Sequence, residues 1–153
     1  MKRTILLNFL GAKGLFKGEE KFIRSIVLQA ALAALKIKKS IGTVSITITG
    51  DKEIKFYNKK YRHKSRPTDV LSFGQDDDRL LGDVLISIEI ARKNNLPAGR
   101  QGKGELKYEL SHLVIHGIMH LLGHDHGSRA EKLKMQKDEE RALKKLKLCL
   151  QKY

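Results

Sequence analysis

A single cysteine, Cys149, stands in 153 residues, so no internal disulfide can form. No run of apolar residues is long enough to span a bilayer. The segment from Met1 to Leu10 begins basic and turns apolar, but Asn8, Gly11 and Lys13 interrupt it and no cleavage-like site follows. It reads as a first strand and not as a signal peptide. Acidic side chains are scarce: 17 stand against 31 basic ones, a net charge of +14. A surplus of that size points to a polyanionic partner, with nucleic acid the leading candidate. A membrane surface is the rival, yet the basic residues are spread over several segments with no strongly apolar amphipathic face beside them. A solvated charged surface is the bland alternative. The length suits one domain, residues 1–153, with a single core and no internal repeat, and the expected location is the cytoplasm.

The hydrophobic pattern lays out the elements. Thr4 to Phe9 reads as a strand. Leu15 to Lys38 carries Phe22, Ile23, Ile26, Val27, Ala30, Ala34 and Ile37 at helical spacing. Val44, Ile46 and Ile48 alternate with Ser45, Thr47 and Thr49 in a second strand, closed by Gly50-Asp51. A short helix follows with Ile54, Phe56 and Tyr57 as its apolar side, then a basic run from Lys59 to Arg66 that Pro67 terminates. Val70–Phe73 and Asp83–Ile88 read as strands around the acidic turn Asp76 to Asp78. Glu89 to Asn95 offers a turn or two of helix, and Leu96 to Gly104, with three glycines and a proline, a loop. A largely buried helix is expected from Glu105 to Leu122. A last helix, capped by Ser128 with Glu131 completing a capping box, is expected to reach Leu150 with Leu133, Met135, Leu143, Leu146 and Leu150 inward.

The chemistry concentrates in His116-Gly-Ile-Met-His-Leu-Leu-Gly-His-Asp-His126. On a helix His116 and His120 share a face and can present two imidazoles to one ion. Gly123 suits the left-handed end of that helix, where the chain can double back and bring in His126 as a third ligand. Three protein ligands leave a fourth position for a water or substrate. The spacing also fits the zinc-peptidase pattern H-E-x-x-H-x-x-G-x-x-H except at Gly117. Those peptidases use the glutamate there as general base, and glycine cannot move a proton. The metal cage is kept while the peptidase base is missing. A lone histidine would read as an ordinary half-buried residue, but five of the six histidines fall between His112 and His126. The set His112, His116 and His120 is the competing cage. On a straight helix it spans two turns, about 11 to 12 Å, too far for bonds of about 2 Å to one ion.

Three blocks carry a family likeness: Asn58-Lys-Lys-Tyr-Arg62 running to Pro67-Thr-Asp-Val-Leu-Ser-Phe73, Leu81-Gly-Asp-Val-Leu-Ile-Ser87, and His112 to His126. With them the chain resembles the YbeY family of bacterial ribosomal-RNA maturation factors over nearly its whole length. The resemblance implies an α+β fold, a small mixed sheet of about four strands packed with helices, with the metal site at the end of a long helix. It implies one zinc ion (Zn2+) per chain on His116, His120 and His126, and places the family's functional arginine at Arg62. It further implies a single-strand-specific, metal-dependent endoribonuclease acting in 3′-end maturation of small-subunit (16S) ribosomal RNA and in ribosome quality control. Single-stranded rRNA in the small ribosomal subunit is then the partner, with ribosomal proteins or assembly GTPases as further candidates and no membrane. The chain departs from the family where His124 replaces the usual tyrosine and in a longer glycine-rich stretch from Gly99 to Gly104.

Alternatives of other classes stand beside this reading. Arg62 could instead make a structural ion pair with Asp69 or Asp83. Asp125 is expected to turn to the backbone or to support a ligand from behind. No general base is identifiable, with His112 and His124 as candidates. The whole protein could be a metallohydrolase of another substrate, which Gly117 disfavours, or a ribosome-assembly factor whose metal is mainly structural.

Overall fold

Val44, Ile46 and Ile48 alternate with Ser45, Thr47 and Thr49 as expected, and they set the inward face of a four-stranded sheet. The computed structural model describes residues 2–77, 79–94, 103–124 and 127–148, with the side chains of 103 and 104 excepted. The expected third ligand His126 lies outside the described residues, as do Asp125, Asp78, Leu150, Cys149 and residues 95–102, which include Gly99 to Gly102 of the glycine-rich stretch. The elements run β1 (Arg3–Leu10), α1 (Glu20–Ile37), β2 (Gly42–Thr49), α2 (Asp51–Arg62), β3 (Val70–Gly74), β4 (Leu80–Ser87), α3 (Ile88–Asn94), α4 (Lys103–Leu121) and α5 (Arg129–Lys145). The expected α+β class is found. The strands form one mixed sheet in the order β1-β2-β4-β3. β1 and β4 flank β2 in parallel, with Leu7 opposite Ile46 and Ile46 opposite Val84, while β3 runs antiparallel to β4 with Ser72 opposite Val84.

One face of the sheet carries the main core. Val44, Ile46, Ile48, Val84 and Ile86 meet Val27, Ala30 and Ala34 of α1 and Leu110, Val114 and Ile118 of α4, all fully buried. Each large side chain so buried contributes roughly 1.5–3 kcal/mol from area removed from water. α4 is apolar nearly all round because it lies in the middle, between the sheet, α1 and α5. The other face is covered only in part. There α2 lays Ile54 on Leu71 and Leu85, with Tyr57 and Phe73 half-buried at the margin.

Several boundaries differ from the hydrophobic pattern for local reasons. Residues 11–19 make turns and not the start of α1, because Gly14 and Gly18 take φ of +87° and +74°. Ile88 opens α3 instead of ending β4, since the Ser87 hydroxyl accepts the Ile90 N–H at 3.2 Å as an N-cap would. α4 already begins at Lys103, and α5 stops at Lys145, short of Leu150. Phe56 and Leu133, expected inside, are 59% and 50% exposed, each lying two residues and so about 200° around its helix from a buried Ile54 or Met135. The capping box is formed: Ser128 Oγ accepts the Glu131 N–H at 3.1 Å and Glu131 Oε2 the Ser128 N–H at 3.0 Å.

Candidate metal centre

The site sits where α4 ends beside the edge strand β3. The end is a Schellman turn: Gly123 at φ +90° donates to His120 O at 3.2 Å and the His124 N–H donates to Met119 O at 3.1 Å. This turn carries the His124 carbonyl back over the helix, where it accepts from His120 Nδ1 at 3.0 Å. One turn earlier, His116 Nδ1 donates to Glu139 Oε1 of α5 at 2.6 Å. With both Nδ1 atoms acting as donors, each ring turns an Nε2 lone pair towards the other, and the two Nε2 atoms stand 3.1 Å apart. Two lone pairs at that distance repel unless a cation or a proton lies between them. Tetrahedral zinc with nitrogen bonds of about 2.0–2.1 Å sets its nitrogens about 3.4 Å apart. The donor chemistry therefore fits zinc, and the carboxylate and carbonyl behind the rings are the kind of support that fixes metal-binding imidazoles.

Glu139 also faces His112, whose Nε2 is 3.6 Å from its Oε2. Desolvation pushes the Glu139 carboxyl upward, but hydrogen bonds from His112 and His116 outweigh it and hold the pKa down at about 2. The hydrogen bond to Glu139 in turn raises His112 above the usual histidine value, against the opposing effect of burial. His112, His116 and Glu139 bring ligand-type atoms within 4.8 Å of one another and so form a group able to hold a metal ion. The same His116 ring thus looks two ways, with Nε2 towards His120 and Nδ1 towards Glu139.

A cleft of about 580 Å³ opens over the His116–His120 pair, and Arg62, Asp69, Ser72 and Gly74 line its other wall. Arg62 is exposed on that wall and makes no ion pair with Asp69 or Asp83 among the described residues. Its position at the end of α2 is held by buried Asn58, whose side chain donates to Arg66 O at 2.8 Å and pins the following loop. His63 takes the left-handed conformation at φ +57° to start that loop. Gly117 explains itself here. A Cβ on it would stand 2.6 Å from Val84 Cγ1 and 3.2 Å from Ser72 Oγ, and its carbonyl accepts the Ser72 hydroxyl at 3.0 Å. The helix lies against the sheet at the very place where a peptidase carries its glutamate.

His124 borders the cleft, but its side chain is buried and its Nε2 is engaged. Its Nε2 lies 3.0 Å from Asp138 Oδ2 and 2.9 Å from Lys38 Nζ, tying α4 to α1 and α5. Asp69 is the one carboxylate among the described residues lining the cleft. Neither Glu139 nor Asp69 was legible as a site residue in the sequence. A signal existed for Glu139: with Asp138 it occupies the inward stripe of α5 beside Met135, Ala142 and Leu143, where a charged side chain must have a partner.

The family model described as Endoribonuclease YbeY matches residues 17–147. The chain belongs to the YbeY endoribonuclease family. Among relatives named Endoribonuclease YbeY, that of Carboxydothermus hydrogenoformans is 38% identical over 132 residues, covering 84% of this chain and 90% of the relative. That of Sulfurihydrogenibium sp. is 38% identical over 144 residues, covering 90% and 88%, and that of Aquifex aeolicus 40% identical over 128 residues, covering 80% and 81%. A solution structure of a Thermotoga maritima protein superposes with a TM-score of 0.56 at 26% identity, covering 93% of this chain and 92% of that one. The overall fold is thus shared with a structure only 26% identical in sequence.

Proposed function

We propose that this chain is a single-strand-specific, zinc-dependent endoribonuclease, a single domain over residues 1–153, that acts in the cytoplasm on small-subunit (16S) ribosomal RNA, in 3′-end maturation and ribosome quality control. The observation that carries the reading is the pair of Nε2 atoms 3.1 Å apart at the floor of a cleft whose far wall holds an arginine. His116, His120 and His126 are the proposed ligands of one zinc ion. Lewis acidity toward a phosphoryl oxygen is the chemistry zinc supplies when bound there. Arg62 faces the same space, and its planar fork can pair with two phosphate oxygens and steady the charge that develops on them. Asp69 Oδ1 already accepts the Val70 N–H at 2.8 Å, which leaves Oδ2 to accept a proton from an attacking hydroxyl or water. Half-buried histidines and a cleft open to solvent suit a substrate that must enter. Ribosomal proteins and assembly GTPases are further partners consistent with the basic surface.

A second reading is favoured by the Glu139–His116 bond, which joins α5 to α4: the metal could serve mainly to hold that junction in a ribosome-assembly factor. Purified protein, zinc-loaded and zinc-stripped, is to be incubated with a single-stranded 16S fragment beside His120→Ala. Cleavage by the loaded native protein alone, with His120→Ala folded by circular dichroism, supports the nuclease. Unfolding of His120→Ala, together with no cleavage by zinc-loaded native protein, refutes it in favour of the structural metal.

A further inference from the structure

Four aromatic rings sit together on the side of β3 away from the metal cleft. Tyr57 and Tyr61 are one helical turn apart on α2 and their rings are parallel within 3° at 6.3 Å. Tyr61 continues onto Phe73 of β3 at 5.1 Å, and Phe56 stands edge-on to Tyr57 at 5.4 Å. Two of the four are open to water, Phe56 at 59% and Tyr61 at 54% exposed. Scattered exposed apolar residues are ordinary, but these rings are contiguous, and Tyr57, Tyr61 and Phe73 border a groove of about 340 Å³ between α2 and the partly covered face of the sheet.

The charge around the rings is sorted by position. Lys59, Lys60, Arg62, His63, Lys64 and Arg66 are all exposed along the end of α2 and the loop after it, and Lys60 Nζ lies 5.2 Å over the Tyr61 ring. The groove floor differs: there Asp83 and Gln75 offer an acceptor and a donor. A carboxylate floor repels phosphate, whereas a base edge bearing amino groups can bond to it. The rim suits a nucleic-acid backbone and the rings suit unstacked bases, the pairing that single-strand binders use.

Position relative to the cleft completes the argument. Tyr61 borders the groove while its neighbour Arg62 lines the metal cleft, and Phe73 borders the groove while its neighbour Ser72 lines the cleft. Adjacent residues are 3.8 Å apart along the chain, so only the edge of β3 and the last turn of α2 separate the two surfaces. We propose that Tyr61 and Phe73, with Tyr57 behind them, form a stacking shelf that holds a base of single-stranded RNA while the strand crosses the edge of β3 into the metal cleft. This rests on the nuclease reading and adds to it the groups that would select unpaired strands, since bases in a duplex cannot reach the rings.

The test uses full-length zinc-loaded protein and a single-stranded RNA of about a dozen nucleotides carrying 2-aminopurine, with native, Tyr61→Ser and Tyr61→Phe proteins mixed rapidly so that binding and quenching are read before the RNA is cleaved. Native protein is expected to bind and quench the 2-aminopurine. Tyr61→Ser is expected to weaken binding about tenfold, or ~1.4 kcal/mol, and to lose the quenching, with Tyr61→Phe restoring both. Tyr61 is exposed, so folding is expected to be unaffected, and equal melting temperatures check this. Native-like affinity and quenching in Tyr61→Ser would overturn the shelf while leaving the nuclease standing, and would leave the rings to a protein partner. Failure of the native protein to bind the RNA at all would overturn both.

Discussion

Gly117→Ala is a sharp test of why α4 lies where it does. An alanine is worth about 1 kcal/mol over glycine in a helix interior, so propensity alone predicts a more stable protein. The new methyl, however, would stand 2.6 Å from Val84 Cγ1 and 3.2 Å from Ser72 Oγ and Val70 Cγ2. Val84 is β-branched, fully buried and held in the strand next to the edge, so it has little rotamer freedom with which to yield. Overpacking of this kind costs about 1–3 kcal/mol, and the Ser72 bond to the Gly117 carbonyl is strained as the helix lifts. The net expectation is a loss of about 1–2 kcal/mol, a fall in Tm of about 2–8 °C for a chain of this length. Thermal melts followed by circular dichroism, run on zinc-free protein, read it directly. The double variant with Val84→Ala sharpens the result. Removing Val84 methyls alone destabilises, but in the double variant the methyl of residue 117 fills part of the space left, so the two effects should fall short of additivity by at least about 1 kcal/mol. A Tm for Gly117→Ala equal to or above native, or additivity within about 0.5 kcal/mol, would refute the packing argument.

Other outcomes follow from the site. Arg62→Ala is expected to lower cleavage by about 10²-fold or more with zinc content by metal analysis unchanged; full activity would remove Arg62 from the reaction. Glu139→Gln keeps the shape but not the charge behind His116, and a competition titration against a chelating dye should show zinc affinity about 10–100-fold weaker. In zinc-free protein, Glu139 with its carboxyl held at about 2 against 4.5 contributes stability that is present above pH 4.5 and lost as pH falls towards 2, roughly 3 kcal/mol at most. His112, raised above 6.5, contributes below pH 6.5 and loses its share as pH rises through its folded value, so denaturant melts should place the benefit of this pair between those two pH values. A profile unchanged by Glu139→Gln across that window would show that the pair contributes nothing.

Much of the architecture was legible because it follows periodicity. The alternation in Val44–Thr49 and the helical stripe of Ile23, Ile26, Val27, Ala30 and Ala34 put the right faces on the core. The misses have separate physical causes. Phe22 to Ile37 is helical, but Gly14 and Gly18 held left-handed stop the helix from reaching back to Leu15. Phe56 reads as core by composition and is outside by helical phase. The histidine pair was legible from spacing, since i and i+4 must share a face. Its supports were not. Glu139 lies 23 positions after His116, and only the packing of α5 on α4 brings them to 2.6 Å. Asp69 and Arg62 were visible as residues, but not as two parts of one wall.

His116 can serve one ion on only one of its nitrogens, and magnitudes decide which. A cation among His112, His116 and Glu139 would have to replace the proton between His116 Nδ1 and Glu139 Oε1, now 2.6 Å apart. Zinc bonded to both at about 2.0–2.1 Å would hold those atoms about 3.4 Å apart, so the carboxylate would have to retreat by most of an ångström against the packing of α5. On the other side, the Nε2 atoms of His116 and His120 at 3.1 Å need only a few tenths of an ångström to reach the same separation. That side also keeps the carboxylate and the His124 carbonyl on the two Nδ1 atoms. The expected result is that His112→Gln leaves zinc affinity within about threefold of native while His120→Ala lowers it by about 100-fold or more, measured by dye competition on protein shown to be folded. Loss of zinc in His112→Gln with retention in His120→Ala would move the ion to the Glu139 side, away from the cleft that Arg62 lines.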